Sequence, residues 1–252
     1  MKQFFTFFLL ALPLTILAQN NEGVITYEQV IKIKIDKSQI PEGMGDMAKL
    51  IPKEQRYQKR LVFSPDATLY TAIESEEAET EIAGPGGRMR VWMERADDVT
   101  YADLKKNRLV EQKDFFGRTF LVKDDMEKLK WKMTGQTKEI LGHVCLEATS
   151  RLDTIPMTAW FAQTIPVASG PETAGGQLPG MVLELTMRDG MVTYTATNIE
   201  FRKVKKGELT EPKKGKEVTR EEFREIARKK MEEMREQWGG RGGRGPRMMI
   251  AR

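Results

Sequence analysis

The stretch that most limits what this chain can fold into is residues 175–201, GGQLPGMVLELTMRDGMVTYTATNIEF, which writes two strand-like runs around an Asp-Gly corner. Met181, Leu183, Leu185 and Met187 alternate with Val182, Glu184 and Thr186, the period-two pattern of a half-buried strand. Asp189-Gly190 suits a type I′ hairpin turn, whose two central residues both need positive φ, and the chain returns through residues 191–201, rich in Thr and Val. Ahead of the hairpin, Pro179 presets φ for the second position of a type II turn, and Gly180 can take the positive φ that follows. Gly176, Leu178, Pro179, Gly180, Met181 and Val182 therefore read as a structural motif. No nucleophile, metal cluster or phosphate loop accompanies them, so the stretch speaks for fold and not for chemistry.

The rest of the chain repeats this strand-and-turn rhythm. Residues 23–35, GVITYEQVIKIKI, place Ile25, Tyr27, Ile31, Ile33 and Ile35 on one face and Glu28, Lys32 and Lys34 on the other, as expected for a long antiparallel strand with one wet face. Residues 36–53 break the pattern with Pro41, Gly43, Gly45 and Pro52 and read as a loop in which Met44 and Met47 face inward. Strands are expected at 57–63 and 67–73 around Ser64-Pro65-Asp66, and then at 89–94, 99–104, 107–113, 118–123, 131–133, 143–150 and 157–165. Residues 74–88 are acidic and then Gly/Pro-rich with no period that would bury a face, so they read as a mobile linker. The fold expected is mainly β, an antiparallel meander forming an open sheet or half-barrel, with a C-terminal amphipathic α-helix.

That helix announces itself at Thr219. Thr219-Arg220-Glu221-Glu222 is a capping box, Val218 and Phe223 match a hydrophobic staple, and Phe223, Ile226, Ala227, Met231, Met234 and Trp238 recur at helical spacing up to Gly239. The helix is expected over 219–238 inside a basic segment, 207–252. From Arg202 onward the chain holds 17 Lys/Arg against 9 Asp/Glu, a net +8, while the total of +4 leaves an acidic body before it. Such a tail is a solvated helix with basic flanks or a surface for an anionic partner. Membrane contact through the helix is open but not favoured.

The first residues predict export. A basic Lys2, an apolar run over 4–17 and Leu17-Ala18-Gln19 form a secretory signal over 1–18, shorter than the roughly 20 residues a membrane span needs. The mature chain is expected in the periplasm or outside the cell, and this argues against a nucleic-acid partner. Its single cysteine, Cys145, forbids an internal disulfide, so stability must come from burial and sheet pairing.

Residues 137–200 resemble the GLPGLI family, secreted Bacteroidetes proteins of unestablished function. The likeness rests on Thr137-Lys138-Glu139-Ile140, Gly142-His143-Val144-Cys145, Ala159-Trp160-Phe161, Ile165-Pro166, Gly170-Pro171 and Leu178-Pro179-Gly180-Met181-Val182-Leu183-Glu184. Gln177 replaces the first Gly of the name-giving motif, and Met-Val stands for the usual Leu-Ile. The resemblance implies an exported, mainly β envelope protein and carries over no catalytic residue. The domain plan is then a β domain over 19–206 that contains the GLPGLI-like region, followed by the basic segment.

Two candidate sites remain, neither of them catalytic. His143 and Cys145 are two apart, so in a strand they share a side and could hold Cu(I) or Zn(II); the plainer reading is a small core thiol beside a hydrogen-bonded histidine. Trp160, Phe161 and Tyr194 could meet an acyl chain if the sheet is concave, or fill an ordinary core. A Cys/His nucleophile would need an orienting third group that the sequence does not supply. The expectation is a non-enzymatic binding module without a cofactor, for an apolar ligand or an envelope partner, with metal handling through His143 and Cys145 as the alternative.

Overall fold

The computed structural model describes residues 21–33, 52–73, 79–84, 87–92, 98–172 and 176–239. The expected signal sequence, most of the expected 36–53 loop with Met44 and Met47, and the tail beyond Gly239 lie outside them.

Strands β1 (Gly23–Lys32), β2 (Glu54–Phe63), β3 (Ala67–Ala72), β4 (Glu79–Gly84), β5 (Gly87–Trp92), β6 (Val99–Asp103), β7 (Arg108–Phe115) and β8 (Arg118–Asp125) are followed by β9 (Lys132–Ile140), β10 (His143–Leu152), β11 (Ile155–Ala162), β12 (Met181–Met187), β13 (Val192–Phe201), β14 (Lys216–Val218) and helix α1 (Arg220–Gly239). Twelve of the strands form one sheet in the order β14-β8-β7-β6-β3-β2-β1-β13-β12-β11-β10-β9. The sheet is thus two antiparallel meanders, β1 to β8 and β9 to β13, joined where β13 returns to pair with β1, Ile25 opposite Ile199. The expected fold class, a mainly β open antiparallel sheet with a C-terminal helix, is the one observed.

Its curvature follows from one short connection. β8 and β9 stand ten strand steps apart, about 48 Å in a flat sheet at roughly 4.8 Å per strand. Only residues 126–131 link them, and at about 3.5 Å per residue that link reaches about 25 Å at most. The sheet must therefore curl until its two ends approach. The concavity is filled by the described parts of the β11–β12 connection, residues 163–172 and 176–180. Ile165, Val167 and Leu178 from this plug are buried in one core with Ile25, Tyr27, Leu61, Phe63 and Tyr70 from the first meander and Ala159, Phe161, Met181 and Leu185 from the second. Polar bonds pin the plug to both halves: Ser169 Oγ donates to Thr68 Oγ1 at 3.2 Å, the Val182 amide donates to the Ser169 carbonyl at 2.8 Å, and Tyr27 O–H donates to the Val182 carbonyl at 2.7 Å.

The motif turn differs from its expected form. The Gly180 amide donates to the Leu178 carbonyl at 2.8 Å, which closes a three-residue turn around Pro179 in place of a type II turn. Gly180 sits at φ +156, far from the type II value, and a Cβ there would lie 2.3 Å from the Ala162 carbonyl oxygen. Close approach of two backbones is what demands glycine. The following hairpin is as expected: Asp189 (φ 53) and Gly190 (φ 81) both have positive φ, and the Met191 amide donates to the Arg188 carbonyl at 3.1 Å.

Three further elements correct the sequence reading. Within the expected linker, β4 forms and pairs with β5, which overlaps the strand expected at 89–94, as a separate hairpin, Glu79 opposite Trp92 and Gly84 opposite Gly87. Mutual backbone pairing suffices to form it, so the absence of an apolar period was no bar. The expected strand at 131–133 is the start of a nine-residue β9, and residues 216–218 form β14, which runs parallel to β8. Val218 delivers the chain from β14 to the helix cap. There the Thr219 amide donates to Glu222 Oε2 at 2.7 Å and the Glu222 amide donates to Thr219 Oγ1 at 3.2 Å, the reciprocal box read from the sequence.

Helix α1 lies on β7 and β8 through its first two turns. Phe223, Ile226 and Ala227 cover a small second core of Phe115, Phe120, Val122 and Val218, with the Phe223 ring 5.4 Å from Phe120 and 5.7 Å from Phe115. The stripe does not stay covered along its length, since Met231 is 52% exposed. Arg228–Glu232 and Lys229–Glu225 pairs four apart support the outer face.

Candidate functional site

The residues singled out in the sequence are positioned mainly by the second meander. Phe161 and Cys145 are fully buried, Tyr194 is 4% exposed, and all three belong to the main core. Tyr194 is also a hydrogen-bond hub: its O–H donates to Glu172 Oε1 at 3.0 Å and its oxygen accepts from Gln29 Nε2 at 3.0 Å. Trp160 is half-buried on β11 with the Lys138 ammonium 4.3 Å from its ring centre, and Lys138 in turn pairs with Glu184 at 2.7 Å. The rings of Trp160, Phe161 and Tyr194 are thus each engaged by protein groups.

His143 and Cys145 both lie on β10. His143 Nδ1 is 2.8 Å from Thr164 Oγ1, and its ring meets Phe201 edge-on at 5.9 Å. The Cys145 thiol donates to the His143 carbonyl at 3.5 Å, and burial pushes it up to about 11. A thiolate ligand would have to form against that burial. Among the described residues no three His, Cys, Asp or Glu side chains come together as a metal site. Gly176, Leu178, Pro179, Gly180, Met181 and Val182 form the end of the plug and the start of β12, with Leu178, Met181 and Val182 buried.

Two features escaped the sequence reading. The larger is an open groove of about 900 Å³ between the 126–131 link and the ends of the β10–β11 and β12–β13 hairpins. Lys128, Arg151, Asp153 and Asp189 line it together with Thr154 and Thr158. None of these four charges makes an ion pair with another described residue. The strands bring together three turns far apart in sequence, so no local motif marks the groove.

The second feature is polar and interior. Lys113 sits 3.0 Å from Glu111 and 3.5 Å from Asp98, with Glu111 6% exposed. Burial opposes the Lys113 ammonium, yet the two carboxylates more than offset it and its pKa is raised. Burial likewise raises Asp98, partly countered by Lys113. Burial and then the Glu172 carboxylate push the Tyr70 phenol well above its ordinary value.

Fold and site together define a curved, open antiparallel β-sheet module with a plugged concavity and a groove at one end. A family model described as the N-terminal domain of N-glycanase peptide matches residues 49–224, and the chain belongs to this family. Two solved structures of PNGF-II, in space groups P21 and C2, share the fold with TM-scores of 0.52 and 0.51 at 16% and 17% identity, over 82% and 81% of this chain. This chain spans 33% of the length of those proteins. No curated protein matches it.

Proposed function

We propose that this chain is an exported, non-enzymatic binding module of the cell envelope that takes a polar partner, a glycan-bearing polypeptide, in the groove formed by the 126–131 link and the two hairpin ends. The carrying observation is the groove itself, open, about 900 Å³ in volume and lined by Thr154, Thr158 and the charges of Lys128, Arg151, Asp153 and Asp189, which form no ion pair with another described residue. Hydroxyl-rich ligands are held by such donors and acceptors with little apolar burial. Membership in a family named for the N-terminal part of an N-glycanase supports the glycan-bearing class of partner. The GLPGLI-like motifs and the leader at the N-terminus support export. A non-enzymatic role is favoured because the sole histidine is bonded to Thr164 and the sole thiol is buried. The packing of Phe161 and Tyr194 favours a polar partner over an acyl chain.

The test is binding to an immobilised N-glycosylated peptide and to the same peptide without its glycan. The glycosylated form should bind at least tenfold more tightly, and Arg151→Ala with Asp153→Asn should remove most of that preference while the thermal melt is kept. Equal binding of the two peptides would overturn the groove reading, and release of glycan with time would overturn the non-enzymatic one.

A further inference from the structure

The strands place the groove and a second surface at opposite ends of the second meander. β10 runs from His143 toward Arg151 and Asp153 at the groove, and β13 runs from the Asp189 turn to Phe201, so the β9–β10 turn at Leu141 and the exit of β13 share the far end. At about 3.3 Å per residue the ten residues of β10 set the two ends roughly 30 Å apart. We propose that this far end docks on an anionic lipid bilayer, with Leu141, Val144 and Phe201 entering the headgroup region, Lys203, Lys205 and Lys206 meeting the phosphates, and the groove facing away from the lipid.

Two kinds of residue converge there, and the first is apolar. Of the six exposed large apolar residues among the described ones, Leu141 (47%), Val144 (61%) and Phe201 (38%) lie at this end. The His143 ring, between Leu141 and Val144 in sequence, meets the Phe201 ring at 5.9 Å, which brings the hairpin and the exit of β13 together. Apolar side chains grouped on a surface mark a site of contact with lipid or protein. Leu141 is also an unusual residue for its turn. With Leu141 at φ 50 and Gly142 at φ 78, the turn takes the two positive φ values that suit asparagine and glycine and strain a leucine. What favours leucine there lies outside the turn.

The second kind is basic. Residues 202–208 leave β13 and carry Arg202, Lys203, Lys205 and Lys206 against Glu208 alone. Arg202 donates to both oxygens of that carboxylate at 2.8 and 2.7 Å and reaches Glu200 at 3.4 Å, while the Val204 amide donates to Glu22 Oε2 at 3.2 Å. The three lysines are exposed and make no ion pair with another described residue. Glu139, opposite Val144, is outnumbered by them. A soluble polyanion would match the lysines and not Leu141, and an apolar protein face would match Leu141 and not the lysines. An anionic bilayer offers phosphates and acyl chains within about 10 Å of depth, and so matches both. The surface lies apart from the groove, so failure of the glycopeptide test leaves it standing.

Sedimentation with lipid vesicles decides the matter, on the chain without residues 1–18, whose apolar run would itself enter lipid. The vesicles are phosphatidylcholine alone and phosphatidylcholine mixed with one third phosphatidylglycerol. The mixed vesicles should bind at least tenfold more tightly, a margin that shrinks as salt is raised. Lys203→Gln with Lys205→Gln and Lys206→Gln should remove that margin, at about fivefold per lysine. Leu141→Asn should weaken binding at least threefold, and since asparagine suits the turn, this variant keeps the fold. Arg241→Gln with Arg244→Gln and Arg247→Gln should bind as the parent does, which separates this surface from the basic tail. Equal binding to the two vesicles, no sedimentation with either, or an unchanged affinity in the lysine variant would each overturn the proposal. So would a loss as large in the arginine variant as in the lysine one. An unchanged affinity in Leu141→Asn would overturn it and assign the lysines to a soluble polyanion, and a dimer that Leu141→Asn dissociates, in a chain that no vesicle binds, would overturn it in favour of a second copy.

Discussion

Gly180→Ala tests the central claim about the plug, that the chain turns into β12 through a contact of two backbones too close for a side chain. A Cβ at this position would lie 2.3 Å from the Ala162 carbonyl oxygen, 2.8 Å from its carbonyl carbon and 3.0 Å from the Gln163 Cα. All three are backbone atoms at the end of β11, so relief requires moving a strand held to β10 and β12, not swinging a side chain. Overpacking of this kind costs about 1–3 kcal/mol. Holding a non-glycine residue at φ +156 adds about 1–3 kcal/mol. Taking about 2–4 kcal/mol together, and about 2–4 °C per kcal/mol for a chain of this size, the melting temperature should fall by roughly 5–15 °C. Gly190→Ala is the control. It too has positive φ, +81, but nothing lies within 4 Å of its Cβ, so it carries the backbone cost alone. Thermal melts followed by far-ultraviolet circular dichroism would compare the two with the parent. If Gly180→Ala melts no lower than Gly190→Ala, the clash is not what selects glycine and the account of the motif as a steric junction fails.

Phe223→Ala removes the ring that meets both Phe115 and Phe120 and should cost about 2–3 kcal/mol by denaturant unfolding, while Met231→Ala on the same stripe, 52% exposed, should cost almost nothing. Thr219→Ala breaks the capping box and should lower stability by about 1 kcal/mol, with the loss seen in the same assay. Glu208 accepts two hydrogen bonds from Arg202 and one from the Lys205 amide, and these hold its carboxyl down at about 2. Because the folded value lies below the unfolded one of roughly 4.3, its contribution is fully present above that pH and is lost as pH falls through about 2. The stability gap between the parent and Arg202→Ala, read from urea midpoints, should therefore be constant above pH 5 and shrink steadily toward pH 2. A gap that grows on acidification would refute the pairing.

What could be read in advance was whatever is written locally. The β12–β13 hairpin carries its period in Met181, Leu183 and Leu185 and its turn in Asp189-Gly190, and the α1 start carries its cap in Thr219 and Glu222, all within a few residues. β4 was missed because a hairpin paired with itself needs no buried face, while its partner β5 overlaps the strand expected at 89–94, and β14 was missed because three residues hold no period at all. Gly180 was assigned to the wrong turn for a different reason: the atom that demands glycine belongs to Ala162, a neighbour in space that the local sequence does not show. The same limit hid the sites. Ser169 and Thr68 meet across 101 residues, and Arg151, Asp153 and Asp189 come together only because β10 to β13 align their hairpin ends. Cys145 and His143 were visible as a pair, but whether a thiol is exposed or sealed depends on the plug and on β11, which no two-residue spacing reveals.

The way the long sheet ends bears on how such a module can bind. Edge strands with free amides and carbonyls invite another strand, the mode by which many sheets capture extended peptides. Here both edges discourage it. β9 is exposed along most of its length, but it carries Lys132 and Lys138, and its pairing slips between Leu146 and Ala148, where Gly135 takes φ +84. A bulge twists an edge out of register with any flat partner, and lysines tax its burial. At the other edge β14 is three residues long and leads directly into α1, whose first two turns lie over β7 and β8. With strand addition hindered at both ends and Ile165, Val167 and Leu178 of the plug buried in the main core, recognition is left to the ends of the hairpins. There Arg151 and Asp153 line the groove without ion-pair partners among the described residues.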